Sequence, residues 1–118
     1  MPFDGNADRP EVRIIDLMLE VTGPNGEKWI KGKETSAEGG HCVMGALNYS
    51  RRKLGIRGDE THRHIRSAIK MRTLRGGWPV TAFNDGTDDF RIIRHVLLRA
   101  RWLASRPSVG ELVADPVE

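Results

Sequence analysis

The single cysteine of the chain, Cys42, stands in the stretch GGHCVMGALNYS, among residues that could activate a thiol. A cysteine at a helix N-terminus meets unpaired backbone amides and the positive end of the helix dipole, and both lower the thiol pKa. The helical pattern that begins near His41 puts Cys42 in such a position. Gly39 and Gly40 would let a substrate approach closely. These residues therefore allow a thiol nucleophile at Cys42.

Nucleophilic catalysis also needs a base and a group that orients the base. The best candidates for the base are His41 and His95. The candidates for the orienting group are Asn84 and Asp85. The sequence does not by itself bring these side chains together. The alternative, which we favour, is that Cys42 is a buried small apolar residue inside the fold.

The stretch FNDGTDD also has a purely structural interpretation. Asn84 or Asp85 followed by Gly86 is a turn signal, and Thr87 or Asp88 can cap the helix that follows. The aspartates of this stretch lack the spacing of a calcium-binding loop. We therefore expect no metal site here, and no other feature of the sequence implies a cofactor.

Four stretches with helical periodicity must position these residues. The first, ADRPEVRIIDLMLEVTG, has Asp8 as a possible cap, Pro10 in its first turn and Gly23 at its end. The second is predicted to begin near His41 and to end near Leu54, with the next glycine as its C-cap.

The third and fourth helices have the clearest capping residues and the clearest apolar faces. The third, GDETHRHIRSAIKMRTLRGG, has Asp59 as its predicted N-cap, and the last, DDFRIIRHVLLRARWLASR, ends at Pro107. The positions expected to face the core are Ile65, Ala68, Ile69 and Met71 on the third helix and Phe90, Ile93, Val96, Leu97, Ala100 and Leu103 on the last.

The four helices predict a mostly α fold, a single-domain bundle of about four helices joined by glycine-rich loops. We expect this domain to cover residues 9–106, between a flexible N-terminus at 1–8 and a flexible acidic tail at 107–118. Two short extended pieces, around Trp29 and at 78–83, could pair, which leaves an α+β fold as the alternative.

Charge is distributed unevenly along the chain. Residues 1–50 carry five basic and eight acidic side chains, and residues 51–106 carry fourteen basic and five acidic ones. This asymmetry indicates an anionic partner, either a nucleic acid or an acidic protein surface. The simpler interpretation, that the charges only keep the outer faces of helices in water, stays open.

The third helix is the most basic part of this region, and such a helix could lie along phosphates. Sequence-specific DNA recognition is not expected. The loop GIRGD before this helix lacks the tight apolar turn of a helix-turn-helix, and the helix has few side chains that read bases. The candidates for partner binding are Arg63, Arg66, Lys70, Arg72 and Arg75.

Three segments, KWIKGKETSAEGGHCVMGAL, AFND and DDFRIIRHVLLRA, resemble a family of small bacterial and phage proteins known only as a domain of unknown function. The resemblance covers about residues 29–101, and this chain departs from it by arginine-rich sequence between the motifs. It implies a shape for the site and no activity, with Trp29, Gly45, Ala46 and Phe83 building the core and a shallow pocket. The matching positions are Trp29, Gly32, Gly40, Cys42, Gly45, Ala46, Leu47, Phe83, Asn84, Asp85, Val96, Leu97, Arg99 and Ala100.

With 118 residues and one cysteine, the chain has the size of one domain and no intrachain disulfide. Its start lacks a signal-peptide pattern, and its apolar runs are far shorter than the roughly 20 residues of a membrane span. We therefore expect a cytoplasmic, non-enzymatic interaction module that binds an acidic protein or a nucleic acid, and no membrane. The alternative is a small thiol-dependent hydrolase or transferase with Cys42 as its nucleophile.

Overall fold

The computed structural model describes residues 9–73 and 79–106. The predicted mostly α fold is confirmed, although these residues form five helices where about four were expected. The additional helix is short and covers most of the piece at 78–83 that was considered extended, together with the start of the FNDG turn signal. The helices are α1 (Pro10–Thr22), α2 (Val43–Leu54), α3 (Asp59–Thr73), α4 (Val80–Asp85) and α5 (Phe90–Ser105).

Several predictions fall on residues outside the described ranges. They are the flexible terminal segments at 1–8 and 107–118, the Arg75 contact and the stop at Pro107. Asp8 also lies outside, but its predicted role as the cap of α1 was wrong, because the N-cap position is Arg9. Within the described ranges, no helix has the length and hydropathy needed to cross a bilayer.

Glycines end the first two helices as predicted. Gly23 follows α1 with φ 89°, and Gly55 follows α2 with φ 68° and ψ 33°. A positive φ strains any residue with a Cβ, so glycine is the natural stop at both points. Pro10 occupies the first turn of α1, where its missing amide hydrogen costs nothing.

The predicted caps of the last two long helices were wrong by one or two residues. α3 begins at Asp59 itself instead of following it. α5 is capped by Asp89, whose carboxylate accepts a hydrogen bond from the Arg91 amide at 2.9 Å. Thr87 and Asp88, the expected caps, have other partners: the hydroxyl closes α4, and the carboxylate forms an ion pair.

The hydrophobic core lies where α1, α3 and α5 pack against one another and α2 packs on α1. One prediction of a core residue was wrong: Met71 is 45% exposed, because it lies at the rim of the groove between α3 and α5. Leu103 is half-buried and packs against the core. The predicted core residues that are buried are Ile65, Ala68, Ile69, Phe90, Ile93, Val96, Leu97 and Ala100.

The connection between α1 and α2, residues 24–42, is held by isolated backbone pairs. His41 donates its amide to the Lys28 carbonyl at 2.8 Å and accepts from the Ile30 amide at 3.1 Å. Trp29 therefore pairs with His41 in a single bridge. The alternative α+β pairing is not formed, since the second extended piece is helical from Val80 onwards.

Candidate functional site

Cys42 is the N-cap of α2, as its position in the sequence suggested, but it is closed off from solvent. Its side chain is 2% exposed. The Sγ atom accepts a hydrogen bond from the Gly45 amide at 3.4 Å. Burial raises the pKa of the Cys42 thiol, and this outweighs the backbone hydrogen bonds from Gly45 and Met44, which lower it. The expectation of a lowered pKa was therefore wrong, because burial removes the water that would solvate a thiolate.

The two candidate bases lie in different places, and neither is hydrogen-bonded to Cys42 in the described part of the chain. The His41 ring packs against Tyr49 with centroids 5.3 Å apart. Its pKa is lowered by burial, and its Nδ1 atom has no hydrogen-bond partner among the described residues. His95 is exposed on α5 and lines the groove between α3 and α5. The predicted constellation of thiol, base and orienting group is thus not assembled.

The environment of Cys42 predicts a slow reaction with alkylating reagents. In the folded protein, we expect iodoacetamide to modify Cys42 about tenfold more slowly than in urea or slower still, because a buried thiol reacts only when the fold opens around it. The pH midpoint should lie above the value of about 8.5 for a free cysteine, since burial raises the pKa. Mass spectrometry of samples quenched between pH 6 and 10 measures both. Fast alkylation with a midpoint below that of the free thiol would show an accessible thiolate instead.

Asn84, the residue between Phe83 and Asp85, is fully buried and uses every hydrogen-bonding position of its amide. Its Oδ1 accepts from Trp29 Nε1 at 2.7 Å and from the Val43 amide at 3.0 Å. Its Nδ2 donates to the Ile30 carbonyl at 3.1 Å and to Asp85 at 3.1 Å. A primary amide has two donors and two acceptor lone pairs. Asn84 therefore joins α4, the α1–α2 connection and the start of α2, and we call this arrangement the Asn84 joint.

Exposed charges reinforce the same connection from outside. Asp85 accepts a hydrogen bond from the Gly32 amide at 2.9 Å, and this bond is the largest cause of the lowered pKa of its carboxyl. Lys31 donates to the Thr87 carbonyl at 3.2 Å and to Asp88 at 2.6 Å. Asn84 and Asp85, the proposed orienting groups, thus hold backbone in place, and neither is bonded to a histidine.

The glycines around Cys42 are required by close packing. A Cβ on Gly45 would overlap the backbone carbonyl oxygen of Glu34, the same oxygen that accepts the Cys42 amide at 3.0 Å. A Cβ on Gly40 would come within 2.6 Å of the Ile30 side chain. The G-x-C-x-x-G segment therefore has a structural role, since it lets the α1–α2 connection lie directly on the first turn of α2.

The four residues assigned to a shallow pocket do not form one together. Ala46 and Phe83 are buried in the core, and Trp29 is half-buried with its ring 5.6 Å from that of Phe90. Gly45 lines a cleft of about 320 Å³ on the outside of α2. Its other lining residues are Glu34, Thr35, His41, Asn48, Tyr49, Arg52 and Lys53.

The basic residues predicted for partner binding lie on the outside of α3. Arg66, Lys70 and Arg72 are exposed and form no ion pair with any residue at 9–73 or 79–106. Arg63 differs from them because it pairs with Glu60 on the same helix. The free positive charge of α3 thus comes mainly from the first three.

The structure adds a second basic helix, α5, whose apolar spacing predicted only its core-facing side. On the outward face of α5, Trp102 is 50% exposed. The guanidinium groups of Arg99 and Arg106 lie 5.6 Å and 4.8 Å from the centroid of its ring. Arg94 and His95 are exposed on the same helix. The signal that could have revealed this face is the sequence of α5 itself, which contains no acidic residue.

Some arginines of α5 are neutralised by neighbouring carboxylates. Arg91 pairs with Asp89 at 2.7 Å, and Arg101 pairs with Asp16 of α1 at 2.7 Å. Arg94 and Arg99 have no such carboxylate within the described ranges. Of these two, Arg99 lies at Trp102 and at the groove towards α3, so it brings uncompensated charge to that place.

Among the residues with described positions, no three histidine, cysteine or carboxylate side chains come together as metal ligands. A comparison of the chain with family models, curated proteins and solved structures finds no match. Function is therefore inferred from the geometry of the chain itself.

Proposed function

We propose that the protein binds an anionic macromolecule, a nucleic acid or an acidic protein, through a basic surface on α3 and α5. The observation that carries this proposal is the uncompensated positive charge of two adjacent helices. From residue 61 to 73 and from 90 to 106 the chain contains no carboxylate. We define the basic surface by its exposed cations, Arg66, Lys70, Arg72, Arg94, Arg99 and Arg106.

Arg72 and Arg99 lie close enough for one partner to contact both, because α3 and α5 pack against each other and both arginines line the groove between them. Arg66 and Lys70 are two residues before and after Ala68 of that groove, so they lie on another face of α3 and extend the basic surface around the helix. Like charges on neighbouring helices repel one another, so an anionic partner gains from contact with both. Five of the six cations are arginines, whose planar guanidinium groups bind phosphate or carboxylate through paired hydrogen bonds.

The observations at Cys42 do not favour the alternative function of a thiol-dependent hydrolase or transferase. A nucleophile must reach its substrate and ionise near neutral pH. Cys42 is buried, and its pKa is raised. The residues around it are accounted for by the packing of the α1–α2 connection on α2.

Reversing charge on α3 tests the proposal. The double variant Arg66→Glu, Lys70→Glu should bind heparin, a general polyanion, about tenfold more weakly or worse, and its binding should depend less steeply on salt because fewer counterions are released. Isothermal titration calorimetry at several salt concentrations measures both quantities.

The matched control is the double variant Arg13→Glu, Lys33→Glu. These two side chains are exposed on α1 and on the α1–α2 connection, so the control changes the net charge equally on another surface. It should retain most of the heparin affinity. Equal weakening in both double variants would mean that total charge, and not the basic surface, determines binding.

A further inference from the structure

Trp102 is a large aromatic side chain that the fold leaves half in water. It lies on the outward face of α5, next to Leu98, which is 38% exposed. Arg99, on the preceding turn of α5, and Arg106, the C-cap residue just after the helix, lie against its ring. An exposed indole bordered by two guanidinium groups offers both an aromatic face and positive charge at one place. We call Trp102, Arg99 and Arg106 the Trp102 platform.

A cleft opens beside this platform. It has a volume of about 360 Å³ and lies between α3 and α5, which is within the range of about 300–1,000 Å³ usual for small-ligand sites. Ala68, Met71 and Val96 give it an apolar lining, with the exposed Met71 at its rim, and Arg72 and Arg99 add basic groups. Arg99 belongs to both features, because it lines the cleft and lies against Trp102.

We propose that the partner of the basic surface is single-stranded nucleic acid, with one unpaired base stacked on Trp102 and a neighbouring base over the cleft. This inference rests on the proposed function, since it names the anionic partner. A base that stacks on the indole displaces one of the guanidinium groups at its face. The displaced Arg99 or Arg106 then binds the adjacent phosphate, so the ring and the arginine contact base and backbone of one strand.

The combination of an aromatic face and arginines favours a single strand over the other anions. In a duplex the base faces are already stacked on each other, so an exposed indole on a convex helix has nothing to stack on. An acidic protein surface could pair with the arginines, but its carboxylates offer no planar ring to Trp102. Aromatic side chains within a basic groove are the usual means of binding single strands without reading their sequence.

The test compares four labelled probes by fluorescence anisotropy at low salt. The probes are an oligothymidylate of about 15 nucleotides, near the upper end of the site sizes known for single-strand binding folds, a duplex of the same length, heparin and poly-glutamate. We expect the single strand to bind more tightly than each of the other three. Tighter binding of the duplex or of poly-glutamate would overturn the single-strand inference.

Variants of Trp102 separate stacking from charge. Trp102→Ala should weaken oligothymidylate binding about tenfold, the loss typical of one stacked base, and leave heparin binding unchanged. Trp102→Phe retains an aromatic face and should restore most of the affinity. The matched control, Tyr49→Ala, removes another exposed aromatic residue, on α2, and should leave both affinities unchanged. Since Trp102 is half exposed, thermal unfolding should show that the variants stay folded.

The outcomes distinguish this inference from the proposed function. If heparin and oligothymidylate bind equally and Trp102→Ala changes neither affinity, the single-strand inference is wrong and the proposed binding of polyanions stands. If none of the four probes binds at low salt, both are wrong. Loss of heparin binding in Trp102→Ala would also contradict the stacking role, because heparin has no bases.

Discussion

Replacing Asn84 with alanine should lower the free energy of unfolding by about 3–5 kcal/mol, since each buried polar group left without its partner costs about 1–3 kcal/mol. The variant removes both acceptor and donor from the Asn84 joint. Three groups lose the hydrogen-bond partner that the asparagine provides: the Val43 amide, Trp29 Nε1 and the Ile30 carbonyl. This loss is a large part of the stability of an ordinary small domain, about 5–15 kcal/mol.

Urea denaturation followed by circular dichroism measures this loss. The matched control is Asn48→Ala. Asn48 donates to Glu34 and accepts from Arg51, both at 3.3 Å, but these partners are side chains that can turn to water. We expect the loss of both bonds to cost less than about 1 kcal/mol. Asn84→Asp is a second, nearly isosteric variant. It keeps the acceptor but loses the donor to Ile30 and adds a negative charge beside Asp85, so it should also be destabilised. A change below about 1 kcal/mol in Asn84→Ala would show that the joint does not hold the fold.

The second large effect is expected at Gly45. Helix propensity alone favours alanine over glycine by up to about 1 kcal/mol. If nothing opposed the added methyl group, Gly45→Ala would therefore raise the free energy of unfolding. A Cβ at Gly45 overlaps the Glu34 carbonyl oxygen, which cannot turn away without losing the Cys42 amide. We therefore expect Gly45→Ala to be destabilised by about 2–4 kcal/mol, against its propensity.

Gly58→Ala is the matched control for Gly45→Ala in the same denaturation experiment. Gly58 is also buried, but the atom that a Cβ would meet is Cδ of the flexible Arg51 side chain, at 2.8 Å. That side chain can move, so the change should stay within about 1 kcal/mol. A Gly45→Ala variant as stable as the wild type would mean that the α1–α2 connection does not press on α2 as described.

The helices could be predicted because their signals are local. On α5, apolar residues recur with helical spacing from Phe90 to Ala100, and that spacing alone selects the buried face. Gly55 ends α2 for a reason that also lies within its own turn. Met71 shows the limit of this reasoning. Its spacing placed it on the core side of α3, but its side chain is 45% exposed at the rim of the groove between α3 and α5.

The Asn84 joint could not be predicted from local signals, because FNDG is a turn signal that already explains an asparagine at this position without any long-range contact. The partners of Asn84 at Trp29, Ile30 and Val43 lie 41 to 55 residues earlier in the chain. No periodicity relates residues so far apart. The resemblance pointed to Asn84 and Cys42, but whether such residues act on a substrate or hold backbone depends on burial. In the described structure, both are buried and bonded to backbone amides.

The long sequence separation at the Asn84 joint also has a consequence for the order of folding. Contacts between residues 29–32 and 84–88 close loops of more than 50 residues. The chain loses the conformational entropy of such a loop before the contacts at its ends can stabilise it. Helical turns form within one microsecond or so, so α2 and α3 should be in place before the joint closes. Interactions that form after the rate-limiting step hardly change the rate of folding and mainly slow unfolding. We therefore expect the helices to come together before the Asn84 joint forms. The joint should then mainly slow unfolding, so that it sets the lifetime of the native state.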